Sequence, residues 1–565
     1  MGFFNSHEAG FGSRMQWGLA LVCIAALACT YYYAIWSLSI NLPWFDDYVQ
    51  FLGTYLRLGQ EYSLKDWFTI VLEQPQWNGL IKSDHRLGFA RVTMMASQEL
   101  IGEVNFQYLI LFGNIFVVLW FLAAWASSPL ARREPIIMLP IAFLVFSLAH
   151  WEAAVWASAA LLYYPAAFFS FAAIAAALMW PRSLVPALGG GALAALSQAN
   201  GLLSYPVISA ALWVSRRRRA AVLFALVSIC AFALYFYDFS RPKGIPDYVS
   251  VGQAAKRIFV SWIQLQGSAV PNMALLVGIT TMVIWCVFVM SHRWKSNPVL
   301  FWFGIWMLAS MGAVAMGRAS LSDEFVISQT RYRYYGICFL SVTFLLVMEQ
   351  LEGKRIRHLL LAAMLLLSAN NYIRETPVFW GHMKKTMVNG VLGANYYRME
   401  GHAPEPSLWF PHVHEVARIL GYTESQGLYA VPFRKDYVAL PAKAPALPAY
   451  GQNVPMWFYL DFMYVGSRSI ALAGVAEIGG GSVCSDTDTL LFLDSGTARY
   501  YFKPVRFARP EAKEFYVKPC QAFAAFINTE ALPAGVYRVG ASIVREGRSI
   551  AEGVHPETIF VNRAH

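Results

Sequence analysis

The stretch WGLALVCIAALACTYYYAIWSLSI, residues 17–40, runs directly into NLPWFDDYVQF, residues 41–51. The first part carries no charge and exceeds the roughly 20 residues that a helix needs to cross a bilayer. It follows Arg14 and is too long for the apolar core of a cleavable signal, so it reads as a first transmembrane helix. The second part sets two adjacent carboxylates, Asp46 and Asp47, at the far end of that helix.

The whole chain agrees with this start. Of 565 residues, 57% are hydrophobic and 14% charged, with a mean hydropathy of +0.44, whereas a soluble domain is about a quarter charged. The sequence is that of an α-helical polytopic membrane protein. Its net charge of +10 does not point to nucleic acid, because the cations gather in short clusters at 132–133, 216–219, 293–295 and 354–357, between apolar segments. Such clusters are topology signals.

About eleven apolar segments follow, at 17–40, 106–126, 135–150, 164–180, 184–199, 201–215, 220–237, 271–291, 299–317, 334–350 and 357–372. With the N-terminus in the cytoplasm, every basic cluster falls on the inner side and the loops 41–105, 150–163, 238–270 and 318–333 fall outside, with everything after 373. The pair broken at SQANGLLSYP reads as a tight hairpin or a re-entrant pair. In the first outer loop Tyr48, Phe51, Leu52 and Tyr55 recur at helical spacing while Asp47, Gln50, Thr54 and Arg57 face away. That spacing predicts an amphipathic helix on the membrane surface, with KDWFTIVLE and HRLGFARVTMMASQELIG as further interfacial helices.

After residue 373 the composition turns to Pro, Gly and β-branched runs such as TLLFLD and YRVGASIV, which read as strands between turns. The expected organisation is a membrane domain over 1–372, an irregular or partly helical connector over 373–459, and an extracytoplasmic β-sandwich over 460–565. Cys484 and Cys520 are the cysteines outside apolar segments. Outside the cytoplasm a disulfide between them is chemically permitted, against the alternative of two separate thiols.

Four groups of residues carry chemistry. Asp46 and Asp47 either cap the helix that follows, or supply a general base for an acceptor hydroxyl or a pair of metal ligands. His85 and Arg86, in SDHRLGFAR with Asp84 and Arg91, either begin a solvated helix or hold a phosphate. Glu152, in AHWEAAVW with His150, marks the interface or belongs to a site. Lys256 and Arg257 with Arg241 and Lys243 in one outer loop, and Arg318, Arg331 and Arg333 in another, are cations on the side that positive-inside bias disfavours. An anionic headgroup would partner them, or the acids Asp238, Asp247, Asp323 and Glu324. HExxH, Walker and CxxC motifs are absent, which removes support for zinc or nucleotide hydrolysis.

FDDY opening a long first outer loop, DHR later in it, WEAAVW in the next, and the late GRASLSDEFVISQTRYRYY resemble the GT-C superfamily, polytopic glycosyltransferases that use polyprenyl-phosphate sugars. The resemblance covers roughly residues 10–372. It implies a catalytic base at Asp46 or Asp47, a second acid at Glu152 that serves the site or its divalent metal (Mg or Mn, held with Asp46), and donor-phosphate contacts from Arg86, His85, Lys256, Arg257, Arg318, Arg331 and Arg333. Bacterial members read NEHR and WEN in the two loops, from which Asp84 and Ala153 depart. The partners implied are a polyprenyl-phosphate sugar donor and a glycan, lipid or protein acceptor at a bacterial plasma membrane. Two other classes fit a polytopic chain with outer loops. A lipid-linked glycan flippase needs charges along a path through the helix centres, and a non-catalytic surface-glycan assembly protein needs no acids at the mouth of the bundle.

Overall fold

The computed structural model describes residues 11–58, 85–180, 183–237, 251–318, 328–351, 353–402, 413–446, 456–478, 487–507 and 522–562, with isolated positions between these runs. They form two compact units. The first comprises 1–37, 49–101 and 108–376, and the second 38–48, 102–107 and 377–565.

The first unit is helical because its segments are apolar all round, as buried or lipid-facing helices are. Among the described residues, eight helices are long and apolar enough to cross a membrane: Trp17–Leu38, Phe106–Ser127, Pro135–Val155, Ala157–Met179, Arg218–Phe236, Pro271–Met290, Pro298–Gly317 and Lys354–Glu400. The eleven apolar segments are all helical, but they are not eleven equal spans. The segment at 334–350 gives an 18-residue helix, Arg333–Gln350, and the pair at 184–215 gives the shorter Val185–Ser197 and Ala199–Val214. At 1.5 Å per residue the shorter of these reaches about 20 Å, two thirds of a hydrocarbon core. The break between them is tight, since a Cβ on Gly201 would lie 2.0 Å from the Ala194 carbonyl.

Segment ends expected on the same side meet. At one end Arg86 contacts Tyr235 and Tyr237, and Glu152 meets Thr330 and Arg331. At the other, Ser128 donates to Glu349 at 2.5 Å, Asn297 donates to the same carboxylate at 3.0 Å, and Arg357 pairs with Glu134 at 3.5 Å. Two outer segments differ from expectation. Part of the expected loop 238–270 is a 16-residue helix, Val251–Gln266, tied by the Trp262 indole to the Leu308 carbonyl at 2.9 Å.

In the segment expected as the first outer loop, most of the predicted polar face is buried. Tyr48–Leu52 is a π-helical turn leading into Gly53–Leu58; of the residues expected to face water, Asp47, Gln50 and Thr54 are buried and Arg57 is exposed. Thr54 Oγ1 donates to the Gln50 backbone carbonyl at 3.0 Å, and that carbonyl also accepts from Arg91 Nε at 3.2 Å. The sequence HRLGFARVTMMASQELIG does supply a helix, Gly88–Ile101, whereas most of KDWFTIVLE, and Asp84, lie outside the described residues.

In the second unit the helix Lys354–Glu400 continues far beyond the expected end of the last span at 372. Its sequence holds the reason. Phe379, Met383, Met387, Val388, Val391 and Leu392, spaced by three and four, are all buried, which is a helical period that Pro377 and the glycines nearby obscure.

Two short strands, β1 (Gln76–Trp77) and β2 (Ile81–Lys82), belong to the first unit; the rest lie in the second. They are β3 (Leu440–Ala442), β4 (Met456–Val465), β5 (Ser469–Ile478), β6 (Asp488–Asp494), β7 (Arg499–Lys503), β8 (Val505–Phe507), β9 (Ala522–Asn528), β10 (Gly535–Arg545) and β11 (Arg548–Val561). A five-stranded sheet has the order β11-β10-β6-β7-β3 and a four-stranded sheet the order β4-β5-β9-β8. Ile470, Leu472, Phe523 and Ile527 of the smaller sheet share one buried cluster with Leu491, Leu493, Val539 and Ile559 of the larger, the alternate residues that a half-buried strand turns inward. Glu400, at the end of the long helix, accepts from the Ser467 and Arg468 backbones, both at 2.9 Å, and from the Ser467 and Ser469 hydroxyls at 2.8 and 2.7 Å. It fastens the β4–β5 turn. Cys484 and Cys520 lie outside the described residues.

Candidate functional site

The acidic pair sits in a turn of the second unit. Phe45 has φ 49°, a left-handed backbone that is costly for a bulky side chain. On either side the turn is closed reciprocally: the Asp47 N–H donates to the Trp44 carbonyl at 3.1 Å, and the Trp44 N–H donates to Asp47 Oδ2 at 3.1 Å. Asp47 is 1% exposed and Asp46 half-buried. The segment leading to the turn is anchored within its own unit. The Trp44 ring stacks on Trp409 at 5.7 Å, Asn41 Oδ1 accepts from the Phe106 N–H at 2.8 Å, and the Asn41 carbonyl accepts from Tyr429 at 2.9 Å. Next to the pair, burial raises the Tyr48 phenol well above its ordinary value, with the Asp47 charge adding to the effect.

In the first unit Glu152 lies in the short helix Trp151–Val155. Its Oε2 accepts from the Arg331 N–H at 3.2 Å and lies 3.7 Å from the Arg331 guanidinium, while its own N–H donates to Thr330 Oγ1 at 3.3 Å. Arg331 lies over the rings of Trp156 and Tyr332, at 5.4 and 5.2 Å from their centroids. Tyr332 in turn accepts from Arg318 Nε at 3.0 Å and packs edge-on against Tyr163. Burial would raise the Tyr332 phenol, but the Arg331 and Arg318 guanidinium groups outweigh it and hold the phenol below its ordinary value. Two cations, one carboxylate and three aromatic rings thus form one cluster, with Glu152 and Arg331 side chains each 18% exposed.

Arg333, next in sequence, is 3.7 Å from Glu375 instead, an acid that the sequence reading left in the connector. The acids expected as partners, Asp238, Asp247, Asp323 and Glu324, lie outside the described residues, as do Arg241 and Lys243. Lys256 is exposed and Arg257 half-buried on the helix Val251–Gln266.

His85 and Arg86 are half-buried ahead of Gly88–Ile101. The Arg86 N–H donates to the Tyr235 hydroxyl at 3.1 Å, its guanidinium donates to the Tyr237 carbonyl, and it lies over the Tyr235 ring at 5.8 Å. Arg86 therefore joins the segment before Gly88–Ile101 to the end of Arg218–Phe236. Arg91, singled out in sequence only as a neighbour, is fully buried and donates to the Gln50 carbonyl at 3.2 Å and the Glu73 carbonyl at 2.8 Å. Burial, then repulsion from Arg57, lowers it to about 9 against the pull of Glu73. Helical period could have flagged it, since Gly88, Arg91 and Met95 share the buried face of that helix.

Glu152 is engaged by a guanidinium and a backbone N–H, and among the described residues no group of three or more His, Cys, Asp or Glu could hold a metal ion. Ala153, where the resemblance would have a polar residue, is fully buried. Compared with protein-family models, with curated proteins and with solved structures, the chain matches none.

Proposed function

We propose that this chain is an integral membrane glycosyltransferase that moves a sugar from a polyprenyl-phosphate donor to an acceptor hydroxyl on a glycan, lipid or protein outside the cytoplasm. The observation that carries the reading is the cluster of Glu152, Arg318, Arg331 and Tyr332 where apolar helices end. A donor whose tail lies in lipid and whose phosphate lies at the interface needs cations in that position, and Arg matches phosphate geometry better than Lys does.

Phosphate is a good leaving group, so departure needs little acid catalysis. What remains is to deprotonate the acceptor and to stabilise charge on the departing phosphate. The acceptor proton goes to a carboxylate, the acceptor oxygen bonds to the anomeric carbon, and the bond from that carbon to the phosphate oxygen breaks. For the base this reading favours Asp46, the more exposed acid of the pair, since a carboxylate oxygen of Asp47 already closes the turn. For the phosphate it favours Arg331 and Arg318. The reading also places the basic loop ends in the cytoplasm and takes the two C-terminal sheets as an extracytoplasmic β-sandwich.

The test is mass spectrometry of surface glycans and secreted proteins from cells that lack the chain, carry it, or carry Asp46→Asn or Arg331→Ala. Loss of one glycan in the null strain and in both variants supports transfer. A glycan restored by both variants at full level would favour a flippase or an assembly protein.

A further inference from the structure

The apolar span that leads to Glu152 is not one helix. Met138–Val145 stops at Phe146, Leu148–His150 is a 3-10 turn, and Trp151–Val155 restarts before the chain extends at Trp156. Each break leaves backbone carbonyls without their helical partners, at residues buried inside the helical unit, Val145 and Ala154. The Val145 carbonyl would pair with the Ala149 N–H, but that group bonds Ser147 Oγ at 3.4 Å. The Ala154 carbonyl is left at the other end, where the helix gives way to extended backbone.

Buried side chains take both. His150, fully buried, places Nε2 3.1 Å from the Val145 carbonyl oxygen and Nδ1 2.7 Å from the Tyr164 hydroxyl. A carbonyl oxygen only accepts, so Nε2 carries the hydrogen, Nδ1 is the acceptor and Tyr164 donates to it. Asn114, also fully buried, donates from Nδ2 to the Ala154 carbonyl at 2.9 Å, while its Oδ1 accepts from Tyr31 at 2.7 Å. The rings of Tyr31, Tyr164 and Tyr334 enclose the imidazole at 5.7, 5.6 and 5.4 Å between centroids. Tyr31, Asn114 and Tyr164 come from three different long helices. Glu152 lies between the two braced carbonyls, two residues before Ala154.

We propose that His150, Tyr164, Asn114 and Tyr31 are positioning residues, a polar brace inside the helical unit that fixes the Trp151–Val155 turn and so holds Glu152 against Arg331. The inference rests on the reading of the Glu152–Arg331 cluster as part of the transfer site. None of the four touches donor or acceptor; they act through the backbone on either side of Glu152. A well-packed brace of this kind holds a site to the tolerance that function needs.

The test uses the full chain in lipid nanodiscs. Tyr164→Phe keeps the ring and removes only the hydrogen bond, and it should lower kcat/KM for transfer about tenfold. In a Glu152→Gln background the same change should cost less than about twofold, because the brace then has nothing left to hold. His150→Gln, whose amide can still donate to Val145 and accept from Tyr164, should retain most of the activity, and His150→Phe should not. Hydrogen exchange over residues 151–155 gives a readout independent of transfer, and both Tyr164→Phe and His150→Phe should raise it. Equal losses in the native and Glu152→Gln backgrounds, or unchanged exchange, overturn the brace. Raised exchange with a silent Glu152→Gln keeps the brace and overturns the transfer reading of the cluster.

Discussion

Asp47 and Glu152 are both acids where an apolar helix gives way to a loop, and they are held in opposite ways. Asp47 bonds a backbone N–H three residues earlier in its own turn. Glu152 is held by Thr330 and Arg331, 178 and 179 positions later. A local partner makes an acid part of the backbone's geometry. A distant one exists only after the helices have packed, and it leaves the acid in a cluster with other charges. The difference makes Asp47 part of its own turn and Glu152 part of a cluster built by tertiary packing, each within its own compact unit.

The sharpest way to break that comparison is to exchange the two acids of the pair. Asp46→Asn should lower transfer by about two to four orders of magnitude, the usual worth of a positioned base. Asp47→Asn keeps an oxygen that accepts from Trp44 and should cost far less. Rates measured on purified chain with a polyprenyl-phosphate sugar decide it, and an inverted order of effects would move the base to Asp47.

Arg91 sharpens the contrast from the stability side, because its partners are also distant in sequence. Arg91→Met takes the donor from the Glu73 carbonyl and leaves the Gln50 carbonyl with Thr54 alone, at about 1–3 kcal/mol for a buried group left unsatisfied. The thermal midpoint of the purified chain should fall clearly. An unchanged midpoint would show that the first outer loop holds itself without this residue.

Arg331→Ala removes a charge-assisted contact worth about 1.5–3 kcal/mol and should raise KM for the donor by about 10- to 100-fold. Arg331→Lys keeps the charge but gives up the planar stacking on Trp156 and Tyr332, so it should recover only part of the loss. Full recovery by lysine would reduce the site to a point charge.

The smallest effect concerns Glu400. Burial opposes ionisation, but hydrogen bonds from Ser469, Arg468 and Ser467 more than offset it and hold the carboxyl below its ordinary value. A depressed folded-state value means stability that is present above the unfolded value and lost as pH falls through the folded one. The advantage of the native chain over Glu400→Gln should therefore be seen at neutral pH and fade in acid. Hydrogen exchange at residues 467–469, followed against pH, reads this directly, and a pH-independent difference would mean that the carboxylate charge contributes nothing there.

The sequence by itself determined what depends on composition and short period. Apolar runs without charges must be helices, because lipid supplies no partner for the backbone, and the β-branched alternation after residue 460 must give strands. The Phe45–Asp47 turn was also within reach, since its closing bonds are local. Tertiary structure alone decided which polar groups meet. The spacing of Tyr48, Phe51, Leu52 and Tyr55 predicts one buried face, yet Asp47, Gln50 and Thr54 opposite it are buried as well, and the Gln50 backbone carbonyl takes bonds from both Arg91 and Thr54. Arg331 and Arg333 look alike in sequence, yet one faces Glu152 and the other Glu375. The physical reason is range: helix formation is fixed by neighbours within a turn or two, whereas an ion pair or a hydrogen bond across 180 positions is specified only when whole helices pack and bring its two halves within 4 Å.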